Sequence, residues 1–145
     1  TKEAIDKITG LMVRANTIDD LLHRTTTVLQ EYIGAESITI TLTSRMTAQH
    51  IAYTTRQSDI QRNIPILTQA YMLAHEQRVL VIDEVTDEGI LDELNDSSIA
   101  MVGQLRSRTG LVGYLLFGYK QNGGSYTKRD MEFIDIVSDE HDGDR

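Results

Sequence analysis

The sequence predicts an α+β domain, a single antiparallel sheet of about five to six strands flanked by helices on both faces. Three observations carry that prediction. Residues 37–43 alternate Ile38, Ile40 and Leu42 with Thr39, Thr41 and Thr43, a period of two rich in β-branched residues. Residues 111–119 are apolar at successive positions (Leu111, Val112, Tyr114, Leu115, Leu116, Phe117), as expected of a central strand covered on both sides. Around these runs lie stretches with apolar residues at steps of three and four, some opening on a capping signal, so helices and strands alternate along one chain.

The elements follow in order. Residues 2–15 read as a helix with Ile5, Ile8, Met12 and Ala15 at a/d spacing, either a coiled-coil seam or a helix packed on its own domain. A second helix starts at Thr17, where Thr17 and Asp20 form a capping box, and buries Leu21, Leu22, Thr25, Val28, Leu29, Tyr32 and Ile33. Gly34 stands at its C-terminal cap. Strands are expected at 37–43 and 50–56. Asn63 is expected to cap a third helix with Pro65 in its first turn, an apolar face of Ile66, Leu67, Ala70, Tyr71, Leu73 and Ala74, and an end near Gln77. A short strand at 79–82, one or two helical turns in 86–94 and strands at 99–106 and 111–119 come next. Thr127 and Asp130 form a second capping box and open a closing helix with Met131, Phe133, Ile134 and Val137.

Composition narrows the function. A chain of 145 residues suits one domain. We divide it into a linker helix (1–16), the domain proper (17–140) and a polar tail (141–145), with both ends reading as cuts from something longer. Cysteine is absent, which excludes disulfides, thiolate nucleophiles, zinc–thiolate sites and a bilin attached through a cysteine, and fits a cytoplasmic protein. The net charge of -8 argues against nucleic acid and against direct membrane contact, and no apolar run approaches the roughly 20 residues of a membrane span.

The order and spacing of these motifs resemble GAF domains over about residues 17–137. The matching pieces are helix 21–33 running through Gly34-Ala35-Glu36 into strand 37–42; helix 70–77 followed by Val79-Leu-Val-Ile-Asp83; and Gly110-Leu-Val-Gly113 followed by a loop, Tyr126, Thr127, Asp130 and Met131. Two departures stand near the expected ligand pocket. Gln77-Arg78 replaces a frequent Gly-Pro, and Gln104 replaces a frequent proline. The asparagine-lysine-aspartate signature of cyclic-nucleotide-binding members is not recognisable.

The resemblance implies a non-catalytic sensory domain of a bacterial signal-transduction protein. A sensor histidine kinase of a two-component system is the expected parent, with a diguanylate cyclase or transcription regulator next. Such a domain binds a small ligand or partner and signals through its terminal helices to an output domain of the same chain, as a homodimer. The alternative is a ligand-free structural dimerisation module. No catalytic residues are expected. Tyr53, Tyr71, His75, Met101 and Gln104 lie on elements expected to line the pocket. His75 would be the axial residue if haem were bound, but a helix-end histidine is the simpler reading and haem is not expected; the cofactor stays unknown. Seven acidic residues, Asp83, Glu84, Asp87, Glu88, Asp92, Glu93 and Asp96, read as a solvated face and not as a metal site. As a lid they would disfavour anionic ligands. The Ser138–Arg145 segment lacks the apolar frame that would make His141 a phosphorylated kinase histidine.

Overall fold

A computed structural model of the chain describes residues 2, 3, 6, 18–43, 49–55, 63–107 and 110–140. Its elements are α1 (Ile18–Ile33), β1 (Ile38–Thr43), β2 (Gln49–Thr54), α2 (Ile66–Ala74), β3 (Val79–Val81), a 3-10 turn (Ile82–Glu84), α3 (Glu88–Ser97), β4 (Met101–Ser107), β5 (Gly110–Phe117) and α4 (Lys128–Glu140). The linker helix expected at 2–15, the Thr17 cap and His141 fall on residues that lie almost wholly outside the described set.

The strands form one antiparallel sheet in the order β2-β1-β5-β4-β3. The apolar run at 111–117 is therefore central, as its composition requires. Strand alternation sorts the side chains into two cores. Ile38, Ile40, Met101, Leu105, Leu115 and Phe117 face α1 and α4, meeting Leu22, Leu29, Ile33, Phe133, Ile134 and Val137. Val102, Tyr114 and Leu116 face the other way, toward Met72 of α2 and Ile90 and Leu94 of α3.

Three glycines set how closely these layers approach. A Cβ on Gly113 would stand 2.0 Å from the backbone oxygen of Thr41, so β1 and β5 can pair here only without a side chain. On Gly103 it would meet Ile134 Cγ2 at 2.7 Å, where α4 lies on the sheet, and on Gly118 it would meet Ser37 Oγ at 2.5 Å.

The helix ends mostly follow the sequence. Gly34 (φ 76°) closes α1, donating its N–H to Gln30 O at 2.8 Å. Thr127 and Asp130 make both bonds of the capping box, Thr127 N to Asp130 Oδ2 at 2.9 Å and Asp130 N to Thr127 Oγ1 at 3.2 Å. Asp130 also pairs with Lys120 at 2.8 Å. Glu36 N donates to Tyr119 O and Gln121 N to Gly34 O, so the exit of α1 is laced to the loop that enters α4.

Helix α2 departs from expectation. It runs from Ile66 to Ala74, with Pro65 at its N-cap and no capping side chain of its own, so Asn63 does not cap it and Gln77 lies beyond its end. Its buried side chains are Thr68 and Met72, while Ile66 is 80% exposed and Leu67 and Leu73 are 49% exposed. The cause is on α3. The Glu93 carboxylate accepts hydrogen bonds from Leu67 N (3.0 Å), Thr68 N (2.9 Å) and Thr68 Oγ1 (3.1 Å). It supplies from another helix the cap that α2 lacks, and it fixes the Thr68 side inward.

Gly113→Ala should destabilise the domain by the upper end of the ~1–3 kcal/mol typical of overpacking or more, because its clash is with backbone. Gly103→Ala should cost less, since the Ile134 methyl can shift. Urea unfolding of the two variants tests the ranking. Glu93→Ala should cost about 1–2 kcal/mol by uncapping α2, and amide exchange should rise at Leu67 and Thr68 ahead of the rest of the sheet.

Candidate functional site

The sheet face beneath α2 is where apolar packing gives way to polar groups. The registers place Thr41 beside Tyr114 and Tyr114 beside Gln104, a row running across β1, β5 and β4. All three residues are at most 1% exposed. The opposite face of the same strands is apolar. Buried polar groups of this kind are expected to be hydrogen-bonded, so their partners matter.

Gln104 Oε1 accepts from Arg106 Nη1 at 2.8 Å. A guanidinium only donates, so this bond fixes the orientation of the amide and leaves both Nε2 hydrogens for another acceptor. The Tyr114 hydroxyl makes no hydrogen bond of good geometry. Burial pushes its pKa up, outweighing the nearby Gln69 side chain and Arg106 charge, which favour the anion. Beside this row, between the C-terminal half of α2 and the β4–β5 hairpin, lies a cavity of about 460 Å³ lined by Met72, Leu73, Glu76, Arg78, Gln104, Arg106 and Leu111.

The five residues singled out from the sequence scatter. Gln104 lines the cavity. Tyr71 is half-buried on α2 and stacks on the His75 ring, centroids 4.2 Å apart. His75 is exposed at the α2 C-cap, with Nδ1 2.9 Å from Tyr71 O. Met101 is on the other side of the sheet, in the core beneath α1 and α4. One residue of β-strand phase separates it from Gln104's face. Tyr53 is on β2 with its backbone paired to Ile40, and its side chain lies outside the described set. Sequence reasoning missed Thr41, Tyr114 and Arg106. The signal available was the alternation itself, since Thr39/Thr41 and Gln104/Arg106 mark the polar face of two strands.

The acidic run has structural work. Asp87 caps α3, its Oδ1 accepting from Ile90 N at 3.1 Å, and Glu93 caps α2. None of the seven carboxylates lines the cavity by Gln104, so they form no lid over it. Among the described residues no group of three or more His, Asp or Glu side chains could hold a metal ion, and no helix is long and apolar enough to cross a membrane. A larger cleft of about 710 Å³ opens on the opposite face, between β3 and α4, lined by Val79, Val81, Tyr126, Met131 and six charged side chains. Its carboxylates, Asp83, Glu84, Glu132 and Asp135, outnumber Arg78 and Lys128.

No protein-family model and no curated protein matches the sequence. Solved structures do match. Over 97% of its length the chain resembles the chromophore-binding domain of a Stigmatella aurantiaca bacteriophytochrome, at TM-score 0.73 and 12% identity, spanning 58% of that chain. It resembles residues 122 to 287 of a methyl-accepting chemotaxis protein at TM-score 0.68 and 12% identity, over 92% of this chain and 91% of that one. A GAF domain/HD domain protein from Geobacter sulfurreducens gives TM-score 0.62 and 14% identity, over 89% and 92% of the two chains. The fold is the GAF fold, with the single antiparallel sheet between helices that the sequence predicts.

Tyr114→Phe removes a buried hydroxyl that makes no good hydrogen bond, so the unliganded domain should keep its stability or gain up to about 1 kcal/mol. The same substitution should flatten an alkaline loss of stability. Tyr114 and Tyr126 both have raised pKa values. Above about pH 10 the unfolded chain therefore loses phenolic protons that the folded chain keeps, and unfolding free energy falls as pH rises. Urea titrations from pH 8 to 11 check both statements.

Proposed function

We propose that this GAF-fold chain is a non-catalytic regulatory domain that binds a small molecule in the cavity beneath α2. The observation that carries this reading is the cavity itself. It lies between the sheet and α2, and its wall includes a buried amide, Gln104, beside a half-buried arginine, Arg106. Binding pockets combine apolar walls with a few fixed polar groups, and Met72, Leu73 and Leu111 supply the apolar part here.

The domain belongs to a cytoplasmic signalling protein of the two-component type, with a sensor histidine kinase as the parent and an output domain in the same chain. The named neighbours, a phytochrome domain, a chemotaxis protein and a GAF/HD protein, support a signalling role. A ligand that binds one position of α2 better than another shifts the population of that position. The tie between the exit of α1 and the entry of α4 gives the two terminal helices a shared response. Two copies pair through those helices, so a change in one helix pair alters the spacing of the attached outputs. A ligand with equal affinity for both positions would transmit nothing.

The test is a thermal-shift screen of metabolites against the wild-type chain and Gln104→Leu. A true ligand at a hundred times its Kd should stabilise the wild type by about 2.7 kcal/mol and leave Gln104→Leu unshifted. If no compound shifts the wild type, or if shifts persist unchanged in Gln104→Leu, the cavity is not a ligand site and the domain acts as a structural module.

A further inference from the structure

The chemistry around the cavity is one-sided. Arg106 is half-buried, and its described side-chain bond is to Gln104, a neutral group. Among the described residues no carboxylate forms an ion pair with it. Its guanidinium has five N–H donors and no acceptor, and among the described residues most of that capacity is unused. Gln104 has spent its oxygen on Arg106 and has only N–H groups left to offer. Tyr114, next to Gln104 in the ladder and close enough to Arg106 to feel its charge, holds a buried hydroxyl with no good partner. Three neighbouring side chains thus carry N–H or O–H donors, of which the bond from Arg106 to Gln104 uses one.

We infer that the ligand of this cavity is a small organic monocarboxylate, its oxygens on Arg106 and the Gln104 amide and its apolar body on Met72, Leu73 and Leu111. The inference rests on the cavity being the ligand site. Carboxylate geometry matches the planar guanidinium fork, and charge-assisted bonds of this kind are the strong ones. Leu111 on the lining and Leu73 at its rim give a short hydrocarbon part a contact that inorganic phosphate lacks. Glu76, on the same lining, penalises a second negative charge on the ligand. The acidic run that would have repelled anions lines none of this cavity; of its two arginines Arg78 is shared with Asp135 at 3.8 Å, which leaves Arg106 to meet the anion within a protein of net charge -8.

The experiment uses the 145-residue chain and calorimetric titration with straight-chain and branched monocarboxylates of four to eight carbons, benzoate, the corresponding primary amides and inorganic phosphate. At least one carboxylate should bind, and its amide should bind at least about tenfold more weakly, the loss expected for a hydrogen bond to a charged group. Arg106→Met should abolish carboxylate binding, with an unchanged urea midpoint confirming that the variant is folded. Arg106→Lys, which keeps the charge without the fork, should retain part of it. Equal affinity for acid and amide, binding of phosphate in preference to every carboxylate, or full binding by Arg106→Met would overturn the ligand class. If neutral compounds bind and Gln104→Leu removes their binding, the carboxylate inference fails while the ligand-site reading stands. If nothing in this set binds to the folded chain, the carboxylate inference fails, and the metabolite screen alone decides the ligand-site reading.

Discussion

Strand β5 is hydrogen-bonded along both edges and covered on both faces, and the sheet is built outward from it. Its Tyr114–Phe117 stretch is buried, pairing with β1 on one side and β4 on the other. A strand so placed can carry no charge on either face, because each face is desolvated. It must also be thin where its neighbours press closest. Gly113 meets that need against Thr41 and Gly103 on β4 meets it against α4. The two helical layers can then close on the sheet from opposite sides without distorting the ladder.

The two layers use the sheet differently. Beneath α1 and α4 the face is apolar throughout, and those helices are laced to each other through Glu36, Tyr119, Gln121 and the Lys120–Asp130 pair. Beneath α2 the same strands present Thr41, Tyr114 and Gln104, and α2 is short and held at its start by one carboxylate. Polar groups buried under a short helix contribute less to the core than the apolar face opposite.

The Glu93 cap explains why α2 lies as it does. Three bonds to one ionised carboxylate hold the first turn of α2, and Thr68 is the residue that must face inward to complete them. Ile66, Leu67 and Leu73 consequently turn to solvent. Burying such side chains would contribute roughly 1.5–3 kcal/mol each, so the orientation is one that hydrophobic periodicity alone would never choose. The exposed face is a consequence of a polar anchor supplied from a different helix.

By itself the sequence determined everything that depends on neighbours along the chain. Alternation of Ile38, Ile40 and Leu42 with threonines announced β1, the unbroken apolar run announced the central strand, and the Thr127–Asp130 box and Gly34 announced two helix ends. From these the layer architecture followed, and Gln104 was legible as a residue where a proline is frequent. What the chain-local pattern could not carry was decided in three dimensions. Register alone brought Thr41, Tyr114 and Gln104 into one row and sent Met101 to the other face, since a strand's phase is known only once its partners are fixed. The rotation of α2 was set by a carboxylate 25 residues further along the chain. Arg106 joins the candidate site because the fold puts its half-buried charge on the cavity lining, hydrogen-bonded to Gln104. Local periodicity reports which residues prefer to be buried. Only the packed structure reports which polar groups are left with bonds to give.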